Sequence, residues 1–373
     1  MGYEYLGTIA IFFSAILTCY IAAKCKLLPH INTSSIGKRY FYLDGLRGLA
    51  AVCVINAHIW RLTNNGLRFS EFNINPHYVG LMGGFGVQIF FCITGFLFFD
   101  QMINKKYEFD WKKFYISRIN RLAPLYLFMI ASSILLASFL GDHSTPVIST
   151  LYNSIKLIFF GFWGNGGGSP VFGYNIALLT ASVWTLPYEW RFYLLMPLMA
   201  LAMQKNKYIS FSAVIIIATL TFIIETSAVW PFFLIGAISA YINKFKVNKI
   251  FSAILILISF VSCVLYFYID HSGYDYISFV SIMIIFIGVV SSKSKLLSLT
   301  PLVYLGEISY SIYLNHLIIL ILLSFTFPYF MNDTTVKPFS AVIMYSVSSI
   351  FICATSLLTF KYIEHLFMKK QAR

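Results

Sequence analysis

YLDGLRGLAAVCVINAHIW, residues 42–60, is apolar enough to cross a bilayer, yet it carries Arg47 and His58 eleven residues apart. Ionisable groups are costly in hydrocarbon, so where they persist they mark a functional site or a partner. On an α-helix eleven residues return almost to the same face and climb about 16 Å. One stripe would therefore carry a fixed cation near one end and a titratable imidazole near the other. The plainer alternative is an arginine that snorkels to the interface and a histidine that sits in it.

The rest of the chain has the same character. Of 373 residues, 59% are hydrophobic and 11% charged, with mean hydropathy +0.77, more apolar surface than a soluble core can bury. These values predict an all-α polytopic integral membrane protein. Apolar stretches at 3–23, 42–62, 79–99, 122–140, 182–203, 208–225, 228–243, 250–269, 276–292, 302–326 and 338–360 give eleven spans. The run 151–163 is too short to cross and is expected at the outer interface or as a re-entrant turn.

Six connecting segments on one side of this topology hold 21 of the 27 lysines and arginines, which places that side in the cytoplasm. The net charge of +13 thus reflects orientation, since no basic patch interleaved with aromatics points to nucleic acid. The six cysteines have no zinc-site or disulfide spacing and read as packing residues, and no metal is expected. The first span has Glu4 and no basic residue before it, so it is expected to be retained, with the N-terminus outside. The organisation expected is an N-terminal helix and linker (1–41), a membrane domain (42–365) and a basic cytoplasmic tail (366–373).

Other polar residues fall at revealing depths. Arg118 and Arg121 in SRINRLAPLY are neighbours on a helix entering the membrane, with Pro124 in its first turn. Two adjacent guanidinium groups suit phosphate, although positive-inside topology also explains them. In VWTLPYEWRFYLL, Pro187 suits a first turn and Glu189 follows near the depth of His58. Glu189 could orient that imidazole, or simply answer the helix dipole or Arg191. Ser309, Tyr313 and His316 recur at i, i+4 and i+7, a polar stripe suited to a substrate tunnel or to interhelical hydrogen bonds. Gly80 and Gly84 have the spacing of close helix packing. Asn165–Pro170, the pairs Asp142/His143 and Asp270/His271, and Glu364 with His365 read as solvated or interfacial.

Together LDGLRGLAAVCVINAH, FFCITGFLFF, SRINRLAPLY, VWTLPYEWRFYLL and SYSIYLNH, in this order, resemble acyltransferase family 3 over residues 42–365. The resemblance implies a ten-helix transmembrane acyltransferase bundle, to which the first span is an additional N-terminal helix. It implies a multi-pass protein of the bacterial inner membrane with a cytoplasmic C-terminus, acetyl-CoA as acyl donor and a glycan acceptor outside, such as lipopolysaccharide O-antigen. Arg118, Arg121 and Arg47 would bind the donor, His58 would be general base, and Glu189 would orient or charge-balance it. Some members add a C-terminal extracytoplasmic hydrolase-like domain. With the sequence ending at Arg373, the membrane domain itself or a partner protein is expected to reach the acceptor. The competing readings are a transporter or flippase using the intramembrane Arg, His and Glu, or the same enzyme with a small-molecule acceptor or a succinyl donor.

Overall fold

The computed structural model describes residues 3–28, 39–63, 68–69, 76–106, 108–163, 169–224, 229–245, 247–330 and 335–369. Most of the linker before residue 39, much of the loop 63–78, residues 165–168 of the glycine-rich loop and the tail beyond 369 lie outside them. The helices are α1 (Tyr3–Lys24), α2 (Phe41–His58), α3 (Pro76–Asn104), α4 (Trp111–Leu140), α5 (Val147–Ile158), α6 (Ala177–Thr180) and α7 (Leu186–Ile224). There follow α8 (Pro231–Ile242), α9 (Lys249–Tyr268), α10 (Tyr276–Ser292), α11 (Thr300–Glu307), α12 (Ser309–Phe330), α13 (Pro338–Thr359) and α14 (His365–Lys369). Two-residue strands β1 (Arg68–Phe69) and β2 (Thr335–Val336) pair in parallel.

The protein is an all-α polytopic membrane protein. Among the described residues six helices are long and apolar enough to cross a membrane, α1, α3, α4, α9, α12 and the α13–α14 run, and α8 and α10 are shorter apolar helices. Outward-facing apolar side chains, such as Ile250, Leu257, Phe260 and Val264 of α9, are exposed, as lipid contact requires. Asn206 leaves helical geometry inside α7, marking the junction between two predicted spans.

Helix α2 is not among those six, because Asp44, Arg47, Asn56 and His58 dilute its hydropathy. It occupies the centre instead, with fourteen of its eighteen residues buried. Glycines on both sides let its backbone approach its neighbours. A Cβ on Gly48 would come within 2.7 Å of Gly306 N on α11, and one on Gly86 of α3 within 2.6 Å of Ala50 O. The expected pair, Gly80 and Gly84, does not perform this role. A Cβ on Gly80 meets nothing within 4 Å, and the closest atoms to one on Gly84 are at 3.5 Å.

Two further expectations, on Pro124 and Glu364, are corrected. Pro124 lies well inside α4, which starts at Trp111 with Asp110 as N-cap accepting from Lys113 N at 3.0 Å. The basic segment after α3 is therefore mostly helical. Helix α1 is built into the bundle: Asn56 Nδ2 donates to Thr8 Oγ1 at 3.1 Å, and Ser349 Oγ of α13 donates to Ile11 O at 2.9 Å. Glu364, expected at the interface, is buried in the π-helical turn Phe360–Glu364 and accepts from Ser311 Oγ at 3.1 Å. Helix α5, which takes in residues 151–158 of the run 151–163, is too short to span, and its Val147, Ile148, Leu151, Tyr152 and Ile155 are exposed.

Candidate active site

Helices α2, α3, α4, α7 and α12 enclose a cavity of about 470 Å³, within the roughly 300–1,000 Å³ usual for small-molecule sites. Its lining on α3 runs from Val87 to Asn104, about 26 Å at 1.5 Å per residue, so the space is long and narrow. Arg47, Arg118, Arg121 and Glu189, picked out separately from sequence, all line it, as do Ser309 and Tyr313. The cationic wall is held from behind. Asp44 meets Arg47 Nη1 at 3.4 Å and Arg39 Nε at 2.6 Å, and Arg39 also pairs with Glu307. Arg118 lies over the rings of Phe98 and Phe114, at 5.3 and 6.0 Å, with its buried Nε lacking a hydrogen-bond partner among the described residues.

At the basic end Asp100 gathers Lys244 Nζ at 2.8 Å, Tyr40 Oη at 2.9 Å and Asn104 Nδ2 at 2.9 Å. Burial, with Asp100 adding to it, pushes the Tyr40 phenol up to about 12, so it remains a donor at neutral pH. At the opposite end Thr185 Oγ1 and Tyr313 Oη share a hydrogen bond of 2.7 Å. A Cβ on Gly83 would meet Ala57 Cβ at 3.0 Å, one α3 turn beyond Val87, so the lined stretch stops about one turn short of His58.

Beyond Tyr313 stand the two histidines. The rings of Tyr313 and His316 are 6.3 Å apart between centroids, and those of His316 and His58 are 5.0 Å apart. His316 is fully buried and His58 partly accessible. Their hydrogen bonds assign the tautomers. His316 Nδ1 faces Ile312 O at 3.1 Å and His58 Nδ1 faces Val54 O at 3.0 Å, and a carbonyl can only accept. Both Nδ1 atoms thus carry protons. His316 Nε2, 3.2 Å from His58 Nδ1, offers that proton a second acceptor, and His58 Nε2 is left with a lone pair.

The partner of His58 is therefore an imidazole and not the expected carboxylate. Glu189 accepts from Tyr193 Oη within the cavity, with no hydrogen bond or ion pair to His58 among the described residues. Sequence reasoning also missed Tyr40, Asp100, Thr185 and Tyr193. Only the i, i+3 spacing of Asp44 and Arg47 offered a local signal for the carboxylates behind the arginines. No group of His, Cys, Asp or Glu able to hold a metal ion occurs among the described residues.

Fold and site thus define a polytopic membrane protein with an arginine-lined central cavity leading toward a histidine pair. An acyltransferase-domain profile matches residues 40–358, and the chain belongs to acyltransferase family 3. It is 27% identical over 371 residues to O-acetyltransferase OatA of Staphylococcus aureus (strains NCTC 8325 / PS 47 and COL), covering 88% of this chain and 58% of the relative. It is 25% identical over 385 residues to putative O-acetyltransferase SACOL0978 of Staphylococcus aureus (strain COL), covering 89% and 58%. The chain spans a little under three fifths of these relatives' length. No solved structure matches it.

Proposed function

We propose that the protein transfers an acetyl group from cytoplasmic acetyl-CoA to a sugar hydroxyl of a lipid-linked or surface polysaccharide, O-antigen or similar, across a bacterial cytoplasmic membrane. The observation that carries this reading is His58 Nε2, without a hydrogen-bond partner among the described residues and with its tautomer set by Val54 O and His316, beyond the inner end of a long cationic cavity. A neutral imidazole nitrogen is the group that takes a proton from an attacking hydroxyl. Family membership and the O-acetyltransferase names of the relatives support the reaction class.

In this reading the phosphates of the donor sit among Arg118, Arg121 and Arg47, where planar guanidinium forks bind them in pairs. Arg47 is steadied by Asp44 and shares the cavity with Glu189, which we assign to holding Tyr193 and the arginine wall in place. The pantetheine arm extends along α3 and α12 past Ser309, and the thioester meets the acceptor beyond Tyr313. His58 then accepts the hydroxyl proton as the oxygen attacks the carbonyl carbon, and returns it to the departing thiolate.

The test is full-length protein in nanodiscs, incubated with radiolabelled acetyl-CoA and candidate glycans. Label in the glycan that depends on His58 supports the proposal. A His58→Ala variant that folds and still acetylates at the parental rate overturns the assignment.

A further inference from the structure

Arg61 follows His58 by three residues, in the 3₁₀ turn Ile59–Thr63 that continues α2. Such a turn has three residues per turn, so side chains at this spacing lie above one another on the same face. The turn packs against α12, the helix that carries His316. Arg61 is only 6% exposed, and its guanidinium lies over the Trp60 ring at 4.9 Å. Both Nε and Nη1 are buried without a hydrogen-bond partner among the described residues. No carboxylate forms an ion pair with it among those residues either, in contrast to Arg39 and Arg47.

A buried cation with two unsatisfied N–H groups is expensive, because desolvation is not offset by a partner. Retained beside a proton-accepting imidazole, it has the form of a site awaiting negative charge. Addition of a hydroxyl to a thioester creates such a charge on the former carbonyl oxygen at the moment the imidazole gains a proton. Arg47 cannot serve, since it lies eleven residues away at the other end of α2.

We propose that Arg61 is the oxyanion-stabilising residue of the acyl transfer, a role resting on the acyl-CoA reaction proposed above. The acceptor oxygen bonds to the thioester carbon and its proton passes to His58 Nε2. The carbonyl π electrons move onto oxygen, where the Nε–H and Nη1–H of Arg61 hold them. Collapse restores the C=O bond, breaks the C–S bond, and the thiolate takes the proton from His58.

The experiment uses the full chain in nanodiscs, comparing wild type, Arg61→Gln and Arg61→Lys for kcat, both KM values and acetyl-CoA binding. Removal of an oxyanion donor should lower kcat about 100- to 1,000-fold in Arg61→Gln, with donor binding and both KM values within about threefold of wild type. Millimolar guanidinium should restore part of that rate, which a packing role would not produce. Should Arg61→Gln fail to fold, Arg61→Lys decides: a kcat deficit of about tenfold or more supports the role, and a wild-type kcat overturns it. A loss confined to the acceptor KM would also overturn it, marking Arg61 as an anchor for an anionic acceptor. If wild-type protein transfers no acetyl from acetyl-CoA, the underlying reaction has failed. If wild type is active and Arg61→Gln matches it, only the Arg61 assignment has failed.

Discussion

His316 Nε2 lies 3.2 Å from His58 Nδ1, and this contact joins α12 to the end of α2. It faces the side of the imidazole opposite Nε2, the nitrogen proposed above to take the hydroxyl proton. On that proposal His316 is a positioning residue. His316→Ala should lower kcat about 10- to 100-fold while leaving the KM for acetyl-CoA near wild type. His316→Asn, whose amide oxygen can accept from His58 Nδ1, should recover part of that loss. Steady-state kinetics on the three proteins checks both statements, and an unchanged kcat in His316→Ala would remove the positioning role.

The arginines of the cavity should show the reverse signature. Arg118 has a buried Nε with no partner among the described residues, so a phosphate would complete it. Arg118→Gln should raise the KM for acetyl-CoA about 10- to 100-fold, the worth of one or two charge-assisted hydrogen bonds, with a smaller effect on kcat. Free coenzyme A should compete with the donor in wild type and far less in the variant. A KM unchanged in Arg118→Gln would separate this residue from donor binding.

Glycine substitutions should separate close packing from mere spacing. Gly48→Ala drives a methyl group to within 2.7 Å of the Gly306 backbone nitrogen, which cannot move aside without shifting α11. It should destabilise the protein by about 1–3 kcal/mol, read as a lower unfolding midpoint in detergent. Gly80→Ala, with open space around the new methyl, should leave the midpoint unchanged.

Helix α1 should prove to be part of the working enzyme. Its Thr8 bonds Asn56, two residues before His58, so Thr8→Val leaves a buried amide short of a partner. The expected cost is about 0.5–1.5 kcal/mol in stability, with a reduced transfer rate. Thermal unfolding and the acetylation assay on the same preparation check this, and a silent variant would show α1 to be a passive neighbour.

Asp275, in the loop before α10, supplies a pH-dependent stability term. Burial acts to raise its carboxyl, but the N–H groups of Ser278 and Ser272, at 2.9 and 2.8 Å, outweigh it and hold the group below its usual range. A depressed carboxyl contributes fully above its unfolded pKa of about 3.9 and loses that contribution as pH falls through the folded value. Asp275→Ala should cost about 0.5–2 kcal/mol at neutral pH, the worth of a helix cap, and the gap from wild type should shrink below about pH 4. Unfolding midpoints over a pH series test the sign.

The fold class was legible in the sequence because bilayer thickness imposes long apolar runs. So were Arg47, Arg118, Arg121 and Glu189, since charge in such runs is conspicuous, and the structure brings all four to one cavity. The partnerships were not legible. His58 and His316 are 258 positions apart and Ser311 and Glu364 are 53 apart, and nothing local connects either pair. Arg61 carries no signal of its own, because sequence does not reveal whether an arginine at the end of a span reaches water or is buried without a partner. Glycine spacing misled for a related reason: Gly80 and Gly83 are equally small, and only the path of α2 decides which one it crowds.

The hydrogen bond between Thr185 and Tyr313 has a consequence for the cell's energy supply. A bacterial membrane stores work as an ion gradient, and a continuous aqueous bore through an enzyme would discharge it. Among the described residues this bond stands where the cavity lining ends, with the fully buried His316 behind it, so in the proposed reaction a thioester reaches the acceptor only by passing between Thr185 and Tyr313. A reactive group can be handed through such a partition while the membrane stays electrically tight.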